Sequence, residues 1–255
     1  MKSSDNSFGC AFVTGAGRGI GAQIAKTLAA DGWPVAVGYR RGRETAEAVV
    51  TEIEKAGGTA CAVPGDLQDP DVIEAIFTEL EDRFGRVSVL VNNAGIRDDG
   101  VLTGLTDKAW KDVLDTNVGV AFQTSRRAIG AMMRARHGRV INITSFVATQ
   151  AIAGISNYAA SKAALGGLTR ALAVEVARRG ITVNAIAPGL VATDLTRELG
   201  HFENSVKRGV PMGRPAELAE IAEGVRFLAS DRASYITGQT LTIDGGLSAQ
   251  AFSLS

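Results

Sequence analysis

Residues 10–21 read Cys10-Ala11-Phe12-Val13-Thr14-Gly15-Ala16-Gly17-Arg18-Gly19-Ile20-Gly21. A short apolar run ends in a glycine-rich turn, after which Ile20, Ile24 and Leu28 recur at the spacing of one helix face. The pattern is a strand, a turn with little side-chain bulk, and a helix. Backbone N–H groups in such a turn approach a phosphate closely, and the positive end of the helix favours its charge. The spacing is Gly-x-x-x-Gly-x-Gly over Gly15, Gly19 and Gly21, with Gly17 inside. Ile20 stands where the commoner dinucleotide fingerprint has its third glycine. Because this is the first strand–helix unit, Thr14, Gly15, Gly17, Arg18, Gly19, Ile20 and Gly21 form the candidate pyrophosphate cradle.

Outward from this unit, short β-branched runs alternate with longer helical patterns. Strands are predicted at Cys10–Thr14, Val35–Tyr39, Ala60–Val63, Val87–Val91, Val140–Ile143, Thr182–Ala187 and Thr240–Ile243. Helices are predicted near 19–31, 43–56, 70–84, 107–135, 156–179 and 216–229. Near-continuous apolar strands separated by helices imply a parallel sheet covered on both faces. The fold class is therefore α/β, a single-domain Rossmann-type doubly wound parallel sheet of about seven strands. Residues 1–255 show no linker, repeat or low-complexity segment that divides them. Residues 189–215 mix glycine, proline and charge without a strand pattern, and are expected to form a lid.

The bulk composition excludes several classes. Twenty-seven basic residues balance 27 acidic ones, so no global field draws nucleic acid or an anionic membrane. No apolar run reaches the roughly 20 residues that span a bilayer. The first residues, Met1-Lys2-Ser3-Ser4-Asp5, lack the apolar stretch of a signal peptide. Cys10 and Cys61 lie far apart in apolar runs and read as small buried hydrophobes, which fits a reducing cytoplasm. His137 and His201 stand alone, without metal-ligand spacing.

Two further places carry chemistry. The second strand ends Tyr39-Arg40-Arg41, with no carboxylate to hold a ribose 2′-hydroxyl. Arginine forks bind a 2′-phosphate, so Arg40, Arg41 and Arg18 predict NADPH rather than NADH. Asp66 and Leu67 follow the third strand, where Asp66 is expected to accept from the adenine amino group. Downstream, Tyr158 and Lys162 are four positions apart and share a helix face. A cation beside a phenol favours the phenolate and draws its pKa toward the range useful for proton transfer.

In order along the chain, these motifs resemble those of the short-chain dehydrogenase/reductase family. Asn92-Asn93-Ala94-Gly95 is similar to its sheet-stabilising motif beside the adenine, which brings in Asn93, Ala94 and Gly95. Asn117, Ser145, Tyr158 and Lys162 match its catalytic set, and Pro188-Gly189 with Thr193 match the turn that holds the nicotinamide amide. The resemblance implies that Tyr158 protonates a carbonyl oxygen and that Ser145 donates a hydrogen bond to it. It further implies that Lys162 holds the nicotinamide ribose and depresses the Tyr158 pKa, and that Asn117 anchors a water beyond Lys162.

Within that family the similarity is greatest to reductases of 3-oxoacyl thioesters carried on acyl carrier protein. Ala131–Val140, Arg178–Asn184 and Ala233–Gly238 carry it. Arg136 and Arg179 match positions that dock the acidic carrier, and are expected near the mouth of the site. Where those reductases carry a Thr-Arg-Asp run, this chain has Arg97-Asp98-Asp99, so a carrier-bound polyketide chain fits as well as a fatty-acyl one. A homotetramer is the family's usual assembly. The alternatives are a reductase of a free ketone or secondary alcohol, and a non-catalytic NADP-binding sensor.

Overall fold

The apolar runs pair into one parallel sheet in the order β3-β2-β1-β4-β5-β6-β7. The computed structural model describes residues 9–192, 206 and 209–250. The strands are β1 (Cys10–Val13), β2 (Val35–Tyr39), β3 (Ala60–Pro64), β4 (Val87–Asn92), β5 (Gly138–Ile143), β6 (Ile181–Pro188) and β7 (Thr240–Ile243). The helices are α1 (Gly19–Ala30), α2 (Arg43–Lys55), α3 (Pro70–Phe84), α4 (Asp107–Leu114), α5 (Val120–Ala135), α6 (Ser156–Val176) and a last one, α7 (Leu218–Ala229). Their starts follow from local chemistry. Asp69 accepts from the Asp71 N–H with Pro70 in the first turn of α3, and Thr106 accepts from the Ala109 N–H to start α4.

Because strand side chains alternate between faces, the sheet feeds two cores. Ala11 and Val13 of β1, with Val35 and Val37 of β2, pack under Ile24 and Leu28 of α1 and Ile221 and Val225 of α7. Cys10, Phe12 and Ala36 point the other way, to Phe77 and Leu80 of α3 and Met132 of α5. Burial pushes the thiols of Cys10 and Cys61 up to about 12 and about 11, leaving them inert space-fillers, as expected. No helix among the described residues is long and apolar enough to cross a membrane.

Two helices differ from the expected ones. The segment 107–135 is not continuous: a π-helical turn, Asp115–Gly119, separates α4 from α5. The stretch 156–179 ends at Val176, and Ala177–Arg179 close it as a 3-10 turn before Gly180 takes the left-handed conformation. The π-turn has a cause in the side chain it carries, taken up below. Strand order reverses between β1 and β4, and the crevice at such a reversal is where doubly wound sheets bind ligands.

Candidate active site

The carboxyl ends of β1 to β4 open onto a cavity of about 400 Å³. Gly15, Arg18, Gly19, Ile20 and Gly21 line it, together with Tyr39 at the end of β2 and Arg40 beyond it, Asp66 and Leu67 beyond β3, and Asn93, Ala94 and Gly95 beyond β4. Gly19 has φ +56, in the left-handed region that favours glycine. A Cβ on Gly21 would lie 2.5 Å from both Asn93 Nδ2 and the Gly15 carbonyl oxygen. That closeness comes from a stitch: Asn93 Nδ2 donates to the carbonyls of Thr14 and Gly15, 2.9 Å each. Thr14 completes it, its Oγ1 accepting from the Asn93 and Ala94 N–H groups at 3.0 and 2.9 Å. Bare backbone, a helix start and a cavity of this size fit a dinucleotide.

Three of the expected cofactor contacts lie outside the residues that line this cavity. Thr14 is fully buried, and Gly17 lies against Thr45 and Ala46 of α2. Arg41 is exposed. Arg40 meets Asp66 at 3.0 Å. β2 and β3 pair in register, Tyr39 opposite Pro64, so their ends bring the two charges together.

The proton-transfer residues gather at the ends of β4 and β5. Ser145 follows β5 and starts a short 3-10 turn, its Oγ accepting from the Val147 N–H at 3.4 Å and lying close enough to Tyr158 to favour the ionised phenol. Tyr158 and Lys162 occupy the first turns of α6. Lys162 is buried and its Nζ donates to the Ile143 carbonyl at 2.8 Å. Asn117, in the π-turn, is saturated. Its Oδ1 accepts from the Ile96 N–H at 2.8 Å, and its Nδ2 donates to the Ile96 carbonyl at 3.1 Å and to Ser161 Oγ at 2.9 Å. Ser161 Oγ then donates to the Tyr158 carbonyl at 2.7 Å. A regular helix would carry Asn117 past these partners, and π-turns of this kind recur where a side chain must be re-aimed. Gly95 joins the two halves: a Cβ there would lie 3.1 Å from Asn117 Oδ1 and 3.5 Å from Lys162 Nζ. Without one, the cavity wall at Gly95 lies directly against Asn117 and Lys162.

The electrostatics revise one expectation. Burial raises the Tyr158 phenol above its ordinary value, and the opposing pulls come from Arg97 and from Ser145. Arg97 Cζ stands 5.2 Å from the ring centroid and Lys162 Nζ stands 5.6 Å from it. Lys162 is itself pushed down to about 8 by desolvation, so it is a weakened source of positive charge.

Sequence reasoning missed the supports behind these residues. Asn92 Nδ2 donates to Ser125 Oγ and Asn142 Oδ1, Thr124 Oγ1 donates to Asn92 Oδ1, and Asn142 Nδ2 donates to Thr169 Oγ1. This buried polar ladder ties β4 and β5 to α5 and α6. The one available signal was two asparagines ending adjacent apolar strands. Pro188 ends β6, and the Gly189 N–H donates to the Ile243 carbonyl at 2.9 Å; Thr193 and His201 lie outside the described residues, as does much of 189–215. Arg136 and Arg179 are not near the mouth of this chain's own site. They follow α5 and α6 at the amino edge of the sheet, whereas Ser145 and Tyr158 sit at the carboxyl edge. The 21 residues of α6 separate them, a length of roughly 30 Å at the usual rise.

Comparison with known proteins agrees with this geometry. Residues 15–248 match the family model described as enoyl-(acyl carrier protein) reductase. The chain is 44% identical over 238 residues to a 3-oxoacyl-(acyl-carrier-protein) reductase of Staphylococcus aureus, covering 93% of this chain and 97% of that one. It is equally similar to the Escherichia coli reductase of the same name, at 44% over 93% and 96%. Among solved structures, a gluconate 5-dehydrogenase from Burkholderia cenocepacia in complex with NADP and tartrate superposes with a TM-score of 0.90 at 32% identity, covering 95% and 96%. The chain belongs to the short-chain dehydrogenase/reductase family of oxidoreductases.

Proposed function

We propose that the protein reduces a 3-oxoacyl thioester, presented by acyl carrier protein, to the 3-hydroxyacyl product at the expense of NADPH, in fatty-acid or polyketide assembly. The observation that carries this reading is the assembly of Ser145, Tyr158 and Lys162 beside the glycine-lined cavity, in a chain 44% identical to 3-oxoacyl carrier-protein reductases. NADPH, when bound, supplies the hydride. Tyr158 gives its proton to the carbonyl oxygen, and Ser145 donates to that oxygen as charge builds on it. Lys162, facing the cavity beneath Gly95, holds ribose hydroxyls and helps recharge the phenol. Arg18 and Arg40 at the cavity wall receive the 2′-phosphate; Arg40 turns from Asp66 to do so. A complete proton-transfer set argues against a non-catalytic sensor.

Arg136 reaches the Arg178 carbonyl at 3.1 Å, so the ends of α5 and α6 form one basic corner. A carrier docked there serves a neighbouring copy's site, which requires an oligomer such as the homotetramer. The test is NADPH oxidation with a carrier-bound 3-oxoacyl substrate, a short free thioester mimic and a panel of free ketones. The carrier-bound substrate is expected to show the highest kcat/KM, and Arg136→Glu with Arg179→Glu to raise KM for it alone, by steering lost at the encounter. A second reading, reduction of a free oxo sugar acid, rests on the likeness to the gluconate 5-dehydrogenase. Preference for a free ketone over every thioester establishes that reading instead.

A further inference from the structure

Arg97 lies beyond the motif that ends at Gly95, and three clamps fix its loop. Asn117 holds Ile96 through both its N–H and its carbonyl, at 2.8 and 3.1 Å. Asn157 Nδ2 donates to the Asp98 carbonyl at 2.8 Å, and the Gly100 N–H donates to the Gly154 carbonyl at 2.8 Å. Arg97 sits between the first two clamps, so its backbone has little freedom. Its side chain is fixed as well: Nε and Nη2 donate to the two carboxylate oxygens of Asp99, at 3.2 and 2.6 Å. Such a fork holds the guanidinium plane in one orientation, and that orientation sets Cζ 5.2 Å from the centre of the Tyr158 ring.

The geometry points to Arg97 as a positioning residue of the reduction, holding a fixed positive charge against Tyr158 so that the phenol releases its proton more readily. This deepens the proposed reading and rests on Tyr158 being the proton donor. The charged groups that face the phenol are Arg97 and Asp99 from the loop and Lys162 from α6, with the Ser145 hydroxyl from the end of β5. Asp99, held in the fork with Arg97, opposes phenolate formation, and the effect of the guanidinium on the phenol exceeds that of the carboxylate. Burial weakens Lys162 as a cation, and of the groups around the phenol the Arg97 guanidinium, with Cζ 5.2 Å from the ring centre, does most to favour its ionised form.

The chain has three tyrosines, so phenolate absorbance can be assigned by subtraction. A rapid pH jump on the ligand-free protein, read before unfolding, gives the Tyr158 midpoint once the matching Tyr158→Phe trace is removed. Arg97→Gln is expected to raise that midpoint by about 1 pH unit, as loss of a cation at this distance from a buried acid should. Arg41→Gln, which removes an exposed charge away from the site, is expected to leave it in place. In turnover, Arg97→Gln should lower kcat with KM for NADPH unchanged. A midpoint that does not move in Arg97→Gln, or moves equally in Arg41→Gln, overturns the proposal. Because the titration needs neither substrate nor cofactor, it stands apart from the proton-donor reading, which fails only if Tyr158→Phe keeps its turnover.

Discussion

Lys162 is a cation held where water does not reach it, with the Ile143 carbonyl as its hydrogen-bond partner. Its pKa falls from 10.5 in water to about 8, so the charged form destabilises the fold. The sign follows from linkage. The unfolded chain binds the proton more tightly, so this cost is fully present below pH 8 and fades as pH rises toward 10.5. Lys162→Met should therefore raise the ligand-free protein's stability by about 1–2 kcal/mol at neutral pH, the relief being partly offset by the orphaned carbonyl, while abolishing turnover. Thermal melts at pH 7 and pH 10 check it, and a gain that is the same at both would contradict the desolvation account. The pairing of Tyr158 with Lys162 was legible because helix spacing alone sets it. The source of the phenol's electrostatics was not, since Arg97 arrives on a loop some sixty positions upstream.

The element that decides the site's rigidity is the π-turn Asp115–Gly119. A periodicity reading makes 107–135 one helix, because a single inserted residue barely disturbs an apolar pattern. Asn117 could be named as a site residue from its resemblance, but its backbone could not. The asparagine satisfies both polar groups of Ile96 and also Ser161. Asn117→Ala should cost about 1–3 kcal/mol in urea unfolding, since it removes the three hydrogen bonds that the buried asparagine makes to Ile96 and Ser161. A loss below about 0.5 kcal/mol would show that the turn is held by something else. At the end of β2 the elements were legible and their partnership was not. Arg40 is expected, with Arg41 and Arg18, to face a phosphate, and the in-register β3 brings Asp66 to it as well. Arg40→Ala should erode the preference for NADPH over NADH in kcat/KM by about ten-fold or more, a charge-assisted contact being worth about 1.5–3 kcal/mol. Equal use of both cofactors by the unaltered enzyme would remove the 2′-phosphate assignment.

Across the whole molecule, function follows from which edge of the sheet a residue reaches. A parallel sheet covered on both faces could be read from the apolar runs, whereas the strand order and the residues of each core come from the structure. The carboxyl edge then collects the glycine turn, the Arg40–Asp66 pair, Gly95, Ser145 and the start of α6. The resemblance to carrier-docking positions leads one to expect Arg136 and Arg179 at the same edge, near the mouth of the site. The lengths of β5 and α6 carry them to the other. The central claim is that this edge delivers a proton from Tyr158 to a 3-oxoacyl carbonyl as NADPH is oxidised. The most direct measurement is product formation from a carrier-bound 3-oxoacyl substrate, comparing the unaltered enzyme with Tyr158→Phe at saturating NADPH. The account predicts stoichiometric 3-hydroxyacyl product from the first, a fall in turnover of about 10²–10⁴-fold in the second, and nearly equal NADPH affinity in both. Turnover by Tyr158→Phe within a few-fold of the unaltered enzyme would contradict it.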